Sequence, residues 1–192
     1  MLKPFFLCSF FLLFCIVNSL ADKNSTWSYT RYSDFSFREF EHYHPATRRI
    51  SKDSIDYKLL HAAIFFETNR QRHENNVPLF EHLILLEQAA FDHSNDMVQK
   101  DFFSHKSPIP GKKTLSDRLA LYGVDQGYRA ENIAIVFALE YESGQPVYTP
   151  DQNDGYFSYE YRGAPLGYRT YLDLAKTVVQ QWMNAPGHRR NI

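Results

Sequence analysis

Apolar residues recur at three- and four-residue steps in several stretches of the chain, a spacing typical of amphipathic helices. In the first stretch, Asp53 or Ser54 can cap the start, and Pro78 forces the preceding residue out of helical geometry. The pattern therefore predicts a long helix from about residue 54 to residue 76. Its apolar face consists of Ile55, Leu59, Ala62, Ala63 and Phe66, with Asn69 on the same side.

Three further helices are predicted from the same periodicity. One begins at residue 80 or 81 and ends at residue 100, and a short one over 115–122 ends before Gly123, a residue favoured just after a helix. The last covers 169–183 and is broken by Pro186-Gly187. His93 lies on the apolar stripe of the second helix, so we interpret it as a core histidine with a local hydrogen bond.

The segments between these helices differ in composition. Residues 133–139, Ile-Ala-Ile-Val-Phe-Ala-Leu, are apolar and partly β-branched, which predicts a strand or a buried segment. Residues 143–168 are rich in Tyr, Gly, Pro and Asp, which indicates a long surface insertion. Residues 22–50 mix aromatic and charged side chains without a period. We expect them to form a leader that packs loosely on a domain over 51–192.

The first 21 residues have the features of a secretory signal. Lys3 supplies the positive charge, residues 5–17 are almost entirely apolar, and small residues stand at Ser19 and Ala21. The apolar run is short for a membrane span, and an uncleaved N-terminal anchor is the alternative interpretation. We therefore expect a secreted protein, extracellular or periplasmic, with no stable membrane span after cleavage. Both cysteines, Cys8 and Cys15, lie inside this signal, so the mature chain would contain no disulfide.

The net charge of the chain and the motifs that it lacks argue against some classes of function. The chain has 192 residues and a formal net charge of -1, which gives no electrostatic case for binding nucleic acid. No Gly-x-Ser-x-Gly sequence surrounds a serine, so the sequence does not indicate a serine hydrolase of that type. A small ligand, a lipid or a peptide remains as the expected partner.

Three separated blocks carry the candidate chemistry. They are Phe102-Phe103-Ser104-His105, Ala130-Glu131-Asn132-Ile133-Ala134, and the segment from Trp182 to Ile192 that contains Asn184-Ala185-Pro186-Gly187-His188. Each block places a titratable side chain beside small or turn-forming residues. Two imidazoles and one carboxylate brought together can form a divalent-metal site or an acid–base site.

Together with Gln88-Ala89-Ala90-Phe91-Asp92-His93 and Asp117-Arg118-Leu119, these blocks resemble the CAP superfamily (cysteine-rich secretory proteins, antigen 5 and pathogenesis-related 1; the SCP domain), in particular its bacterial branch. The likeness covers about residues 55–192, apart from the insertion. It implies an α+β fold, a three-layer α-β-α sandwich with a central cleft. Because the family domain continues past the Asn191-Ile192 pair, the resemblance also implies that the last strands are missing from this chain.

Family members commonly place two histidines and two acids in the cleft. By motif, His105 and His188 match the histidines and Glu131 matches one acid, while Asn184-Ala185 occupies the stretch that usually holds the second acid. Asn132 could orient a neighbouring side chain through a hydrogen bond. The resemblance therefore implies a ligand-binding set of His105, Glu131, His188 and Asn132. The first three are candidate ligands for zinc or another divalent cation.

Three functions are compatible with these residues. The leading hypothesis is a secreted, non-catalytic protein that binds a divalent metal, a lipid or a peptide in the cleft. A metal-assisted hydrolase acting on peptide or cell-wall material is an alternative, since it needs a metal-bound water and a base. In the third, a structural or adhesive surface module, the same side chains form only a stabilising polar network.

Overall fold

Helices form where the apolar periodicity predicts them. The computed structural model describes residues 25–192, and in these residues the regular structure is helical. Two 3-10 helices lie in the N-terminal part, over Tyr29–Asp34 and His44–Thr47. The α-helices are α1 (Phe37–Phe40), α2 (Tyr57–Glu74), α3 (Ile84–Gln99), α4 (Leu115–Ala120), α5 (Tyr171–Asn184) and α6 (Pro186–Arg189).

Side-chain caps fix where three of these helices begin. Asp56 accepts the Leu59 N–H at the start of α2, Thr170 accepts the Asp173 N–H at the start of α5, and Thr114 forms a capping box before α4. These contacts satisfy backbone donors that a helix N-terminus leaves without an internal partner.

Helix α3 begins later than predicted, at Ile84 instead of residue 80 or 81. The Asn69 side chain on α2 explains the difference. Its Oδ1 accepts the Phe80 N–H at 2.8 Å, and its Nδ2 donates to the Phe80 carbonyl at 3.0 Å. Both backbone groups of Phe80 are therefore engaged by α2, and the chain cannot enter the helix there.

The core lies where α2 packs against α5 and the N-terminal segment covers both. Trp27, Phe40 and Ile50 are each at most 2% exposed. The Trp27 ring contacts five aromatic rings, with centroid separations from 5.2 Å (Phe40) to 5.8 Å (Phe66). The expectation of a loosely packed leader is therefore wrong for residues 25–50, because their aromatic side chains form part of the core.

The predicted three-layer α-β-α sandwich, and with it the α+β fold class, is wrong. Residues 25–192 contain helices and three isolated antiparallel bridges, Arg49 with Thr170, Leu139 with Tyr168 and Tyr148 with Ser158, but no β-strand. The segment 133–139 has strand-forming residues, yet it contacts a second extended segment only at its Leu139 end within the described chain. A strand requires a partner along its length, and local composition does not supply one.

Residues 143–168 form no helix, and buried polar contacts hold them in shape. Asn153 and Ser158 are both fully buried, although both are polar. Asn153 Nδ2 donates to Ser158 Oγ at 2.6 Å, and its Oδ1 accepts the Arg162 N–H at 2.5 Å. Because each buried group finds a partner, the segment keeps a defined conformation without regular structure.

The predicted signal over 1–21, with Cys8 and Cys15, lies outside the described residues. Among residues 25–192, none of the helices combines the length and the apolar character that crossing a membrane requires.

A carboxylate whose side chain is 11% exposed joins the N-terminal segment to α2 and α3. Glu87 Oε1 accepts a hydrogen bond from His61 Nδ1 at 2.8 Å, and Oε2 accepts from His82 Nε2 at 2.7 Å and from the Tyr32 hydroxyl at 2.8 Å. Burial alone would raise the pKa of Glu87, but these hydrogen bonds outweigh it and hold the pKa below its usual value. Glu87 therefore remains ionised as a shared acceptor.

Replacing Phe40 by alanine tests whether the N-terminal segment belongs to the core. Phe40 is 1% exposed and stacks on Phe66 at 4.4 Å, so Phe40→Ala leaves a cavity and should lower the free energy of unfolding by about 3–5 kcal/mol. Urea denaturation measures the change. Phe103→Ala, at a ring that is 49% exposed, serves as the control and should change stability by less than about 1 kcal/mol. Equal effects of the two substitutions would contradict the assignment.

Replacing Glu87 by glutamine tests how much the ionised Glu87 carboxylate contributes to folding stability. Because the native pKa is lowered, the ionised group stabilises the fold fully above about pH 4.3, and this contribution is lost as the pH falls towards the native pKa. The stability difference between wild type and Glu87→Gln should therefore shrink on acidification through that range, as measured by urea denaturation. Glu160→Gln, at an exposed position, should show no such trend. A difference that stays constant with pH would contradict this account.

Candidate functional site

An imidazole that faces solvent is held by a carboxylate that is nearly buried. His105, in the loop between α3 and α4, has a side chain that is 52% exposed, whereas the Glu131 side chain is 13% exposed. His105 Nδ1 lies 2.8 Å from Glu131 Oε1. Since an ionised carboxylate can only accept, Nδ1 carries a proton, and in the neutral form of the ring Nε2 is then an acceptor.

Arg118 fixes the position of Glu131. Its side chain projects from α4, is 1% exposed, and donates from Nη2 to Glu131 Oε2 at 2.5 Å. Its Nη1 also donates to the His105 carbonyl at 3.1 Å and the Lys112 carbonyl at 3.4 Å. A buried guanidinium is costly unless it is paired and hydrogen-bonded. Arg118 meets both conditions and braces both partners of the His105–Glu131 contact.

His93, on α3, lies behind this contact. It is 2% exposed, and its Nε2 lies 3.1 Å from the Ser104 carbonyl and 4.0 Å from Glu131 Oε2. Burial lowers the pKa of His93, and the nearby Arg118 charge lowers it further. The ring is therefore neutral and holds the backbone just before His105. The interpretation of His93 as a core histidine with a local hydrogen bond is confirmed.

The ring of His188, on the short helix α6, lies close to the ring of His105. Its ring centroid lies 6.4 Å from that of His105, with the two planes at 60°. Asn132 Nδ2 donates to the His188 carbonyl at 3.1 Å, and Asn191 Nδ2 donates to Asn132 Oδ1 at 2.8 Å. The structure therefore brings together all four residues that the sequence singled out, His105, Glu131, Asn132 and His188. With His93 and Arg118 they are called the imidazole site below.

Zinc coordination by His105, Glu131 and His188 does not fit the contacts of Glu131. Both of its carboxylate oxygens already accept hydrogen bonds, one from His105 and the other from Arg118. In the part of the chain that the structure describes, no group of three histidine, cysteine, aspartate or glutamate side chains is placed to hold a metal ion. The three-ligand centre remains a prediction, and the roles derived for these residues do not require a metal.

Sequence reasoning gave Arg118 and His93 no role in the site. Arg118 occupies an apolar-face position of α4, next to the buried Leu119, and a charge on such a face indicates a buried ion pair. His93 carried the same signal on α3. In neither case could the periodicity name the partner, because Glu131 follows in a loop that has no period.

No protein-family model, no curated protein and no solved structure matches this chain. The resemblance to the CAP superfamily therefore rests on the sequence blocks alone and remains a prediction.

Replacing Arg118 by methionine tests the buried pair. Arg118→Met leaves the Glu131 carboxylate without its buried cation and should cost about 3–5 kcal/mol of folding free energy, measured by urea denaturation. In the double variant Arg118→Met/Glu131→Gln no unpaired charge is buried, so part of the loss should return. Arg162→Met, at a side chain that is 66% exposed, is the control and should be nearly neutral. A double variant no more stable than Arg118→Met would refute the pairing.

Proposed function

We propose that the protein binds a ligand without chemical turnover at the imidazole site, where His105 and His188 make the contacts. The observation that supports this most strongly is the combination of an exposed His105 ring with a buried Arg118–Glu131 pair behind it. Such a pair stabilises a fold little compared with apolar side chains of similar volume. It does restrict His105 to one tautomer and one orientation, which is what a recognition group requires.

The ligand class follows from the groups that the site presents. The Nε2 atom of a neutral His105 accepts a hydrogen bond or coordinates a cation, so a peptide N–H, a lipid hydroxyl or a divalent metal would suit it. Phe103, next to this block in the chain, is 49% exposed and adds apolar surface. The exposed Tyr148, Tyr159 and Tyr161 of the insertion could provide a further aromatic contact surface.

The His105–Glu131 contact favours a hydrolase with His105 as general base as a second candidate, whereas the contacts of Glu131 give no support to its metal-assisted form. A carboxylate that orients an imidazole through Nδ1 is a common way of holding a general base. Two nearby serines do not strengthen this candidate. Ser104 Oγ accepts the Lys106 N–H and Ser107 Oγ accepts the Ile109 N–H, so each braces a turn.

Secretion belongs to the same proposal. The sequence features of residues 1–21 support export to an extracellular or periplasmic compartment. Such a compartment permits disulfides, but residues 25–192 contain no cysteine to form one. The CAP resemblance supports the ligand-binding role through the two histidines and Glu131, although residues 25–192 do not form the sandwich fold that it implied.

Calorimetric titration tests the binding role. We would titrate zinc chloride, phosphatidylcholine vesicles and a mixture of short unstructured peptides into wild type, His105→Ala and His188→Ala. At least one probe should bind wild type, and each substitution should weaken that binding about tenfold or more, since each removes an imidazole that would contact the ligand. His42→Ala, at a side chain that is 82% exposed, is the matched control and should bind as wild type does.

The same samples distinguish the other two functions. New amino groups released from the peptides by wild type and not by His105→Ala would show a hydrolase. If the histidine substitutions lower the melting temperature but leave binding unchanged, the site is a structural network and the proposal is wrong. The proposal also fails if none of the three probes binds a folded wild type.

A further inference from the structure

Residues 133–139 are an extended apolar segment whose two faces differ. Val136 and Ala138 pack against the core cluster, whereas Ile135 and Phe137 are 55% and 48% exposed. Alternation with a period of two is the side-chain pattern of a β-strand that lies with one face on a core. The segment forms neither helix nor turn over 133–137. It therefore has the side-chain alternation of a strand without having the partner of one.

The backbone of this segment is largely unpaired. Within the described residues, no backbone–backbone hydrogen bond engages the N–H or C=O groups of residues 133–137. At the far end, the Ala138 carbonyl accepts from the Arg169 N–H and the Glu140 N–H donates to the Gly167 carbonyl, both at 2.8 Å. Unpaired strand edges are strong sites for pairing with another chain.

The pairing at the far end defines which edge is free. Successive residues of a strand direct their backbone groups to opposite edges. Since residues 138 and 140 pair towards the segment 167–169, the even-numbered residues face that segment. The odd-numbered residues Ile133, Ile135 and Phe137 direct their N–H and C=O groups to the opposite edge, where no pairing is made.

The sequence of the segment is nearly self-complementary. When two copies run antiparallel about Val136, Ile133 meets Leu139, Ala134 meets Ala138, and Ile135 meets Phe137. In this register the odd-numbered residues pair with each other, so the groups of the free edge are the ones that form hydrogen bonds, except for the Leu139 carbonyl, which already accepts the Tyr141 N–H at 2.8 Å. Large apolar residues oppose large ones and alanine opposes alanine, which favours close cross-strand packing.

The charges that flank the segment are compatible with the same register. Glu131 and Glu140 bound the seven apolar residues on either side. With the centre at Val136, Glu131 lies opposite Tyr141 of the second copy, and Glu140 lies opposite Asn132. Neither glutamate lies opposite a glutamate of the second copy, so the pairing places no like charges directly across from each other.

We propose that two copies of this chain associate through antiparallel pairing of residues 133–139, about a two-fold axis at Val136. The contact is isologous, so it closes on itself and produces a dimer, not a fibre. It would lie directly beside Glu131 and Asn132 of the imidazole site, because those residues precede the segment in the chain. This inference does not depend on the proposed function.

Sedimentation equilibrium tests the dimer and its register. Wild type should sediment as a concentration-dependent dimer over a roughly hundredfold range of concentration. Ile135→Lys and Phe137→Glu should each raise the dissociation constant about tenfold or more, because each places a charge opposite an apolar residue. A mixture of these two variants should regain the dimer, because the introduced lysine of one copy would then meet the introduced glutamate of the other in the stated register.

A control variant and a folding check accompany the measurement. Leu121→Lys, at a residue that is 60% exposed, should dimerise as wild type does. Circular dichroism should show unchanged helix content in all variants, since the substituted side chains are exposed. A monomeric wild type overturns the proposal, and so does a dimer that Ile135→Lys leaves intact. Failure of the mixture to form a heterodimer overturns the register.

Discussion

The packing of aromatic rings around Trp27 is the contact on which the other elements depend. Helices α2 and α5 alone leave one side of their interface open, and the rings of residues 27–43 cover it. No cysteine lies in residues 25–192, so no disulfide can replace this packing there. Tyr32 links this packing to α3, since its ring belongs to the aromatic cluster and its hydroxyl donates a hydrogen bond to Glu87 on α3. The position of α3 then places His93 behind the backbone that presents His105.

The parts of the fold that depend on local spacing could be predicted. The period of apolar residues located α2, α3, α4 and α5, but the expected cap of α2 was wrong: Asp56, not Asp53 or Ser54, caps this helix, which begins at Tyr57. The late start of α3 could not be predicted, because it results from a side chain on another helix, Asn69. Spacing along the chain contains no information about such contacts.

The errors concern long-range contacts. Residues 133–139 have the composition of a strand, but strand formation also depends on a neighbour that composition does not specify. Residues 25–50 show no clear period because their rings lie on two short 3-10 helices and the four-residue helix α1, so the burial of these rings was not predicted. In the candidate site, too, local sequence signals could be interpreted and long-range contacts could not. Motifs indicated His105, Glu131, Asn132 and His188, whereas the role of Arg118 became clear only from its buried contact with Glu131.

The Asn132 amide has a mechanical consequence for the imidazole site. The amide oxygen accepts a hydrogen bond from the Asn191 side chain and the amide nitrogen donates to the His188 carbonyl, so the planar amide is held both by α6 and by the second residue after it. Glu131 is the adjacent residue, and Arg118 ties it in turn to the backbone of His105. Displacement of His188 by a bound molecule would therefore be transmitted to His105 as a movement of one stiff unit. The His105 and His188 rings would therefore move together when a molecule binds, although no hydrogen bond joins them.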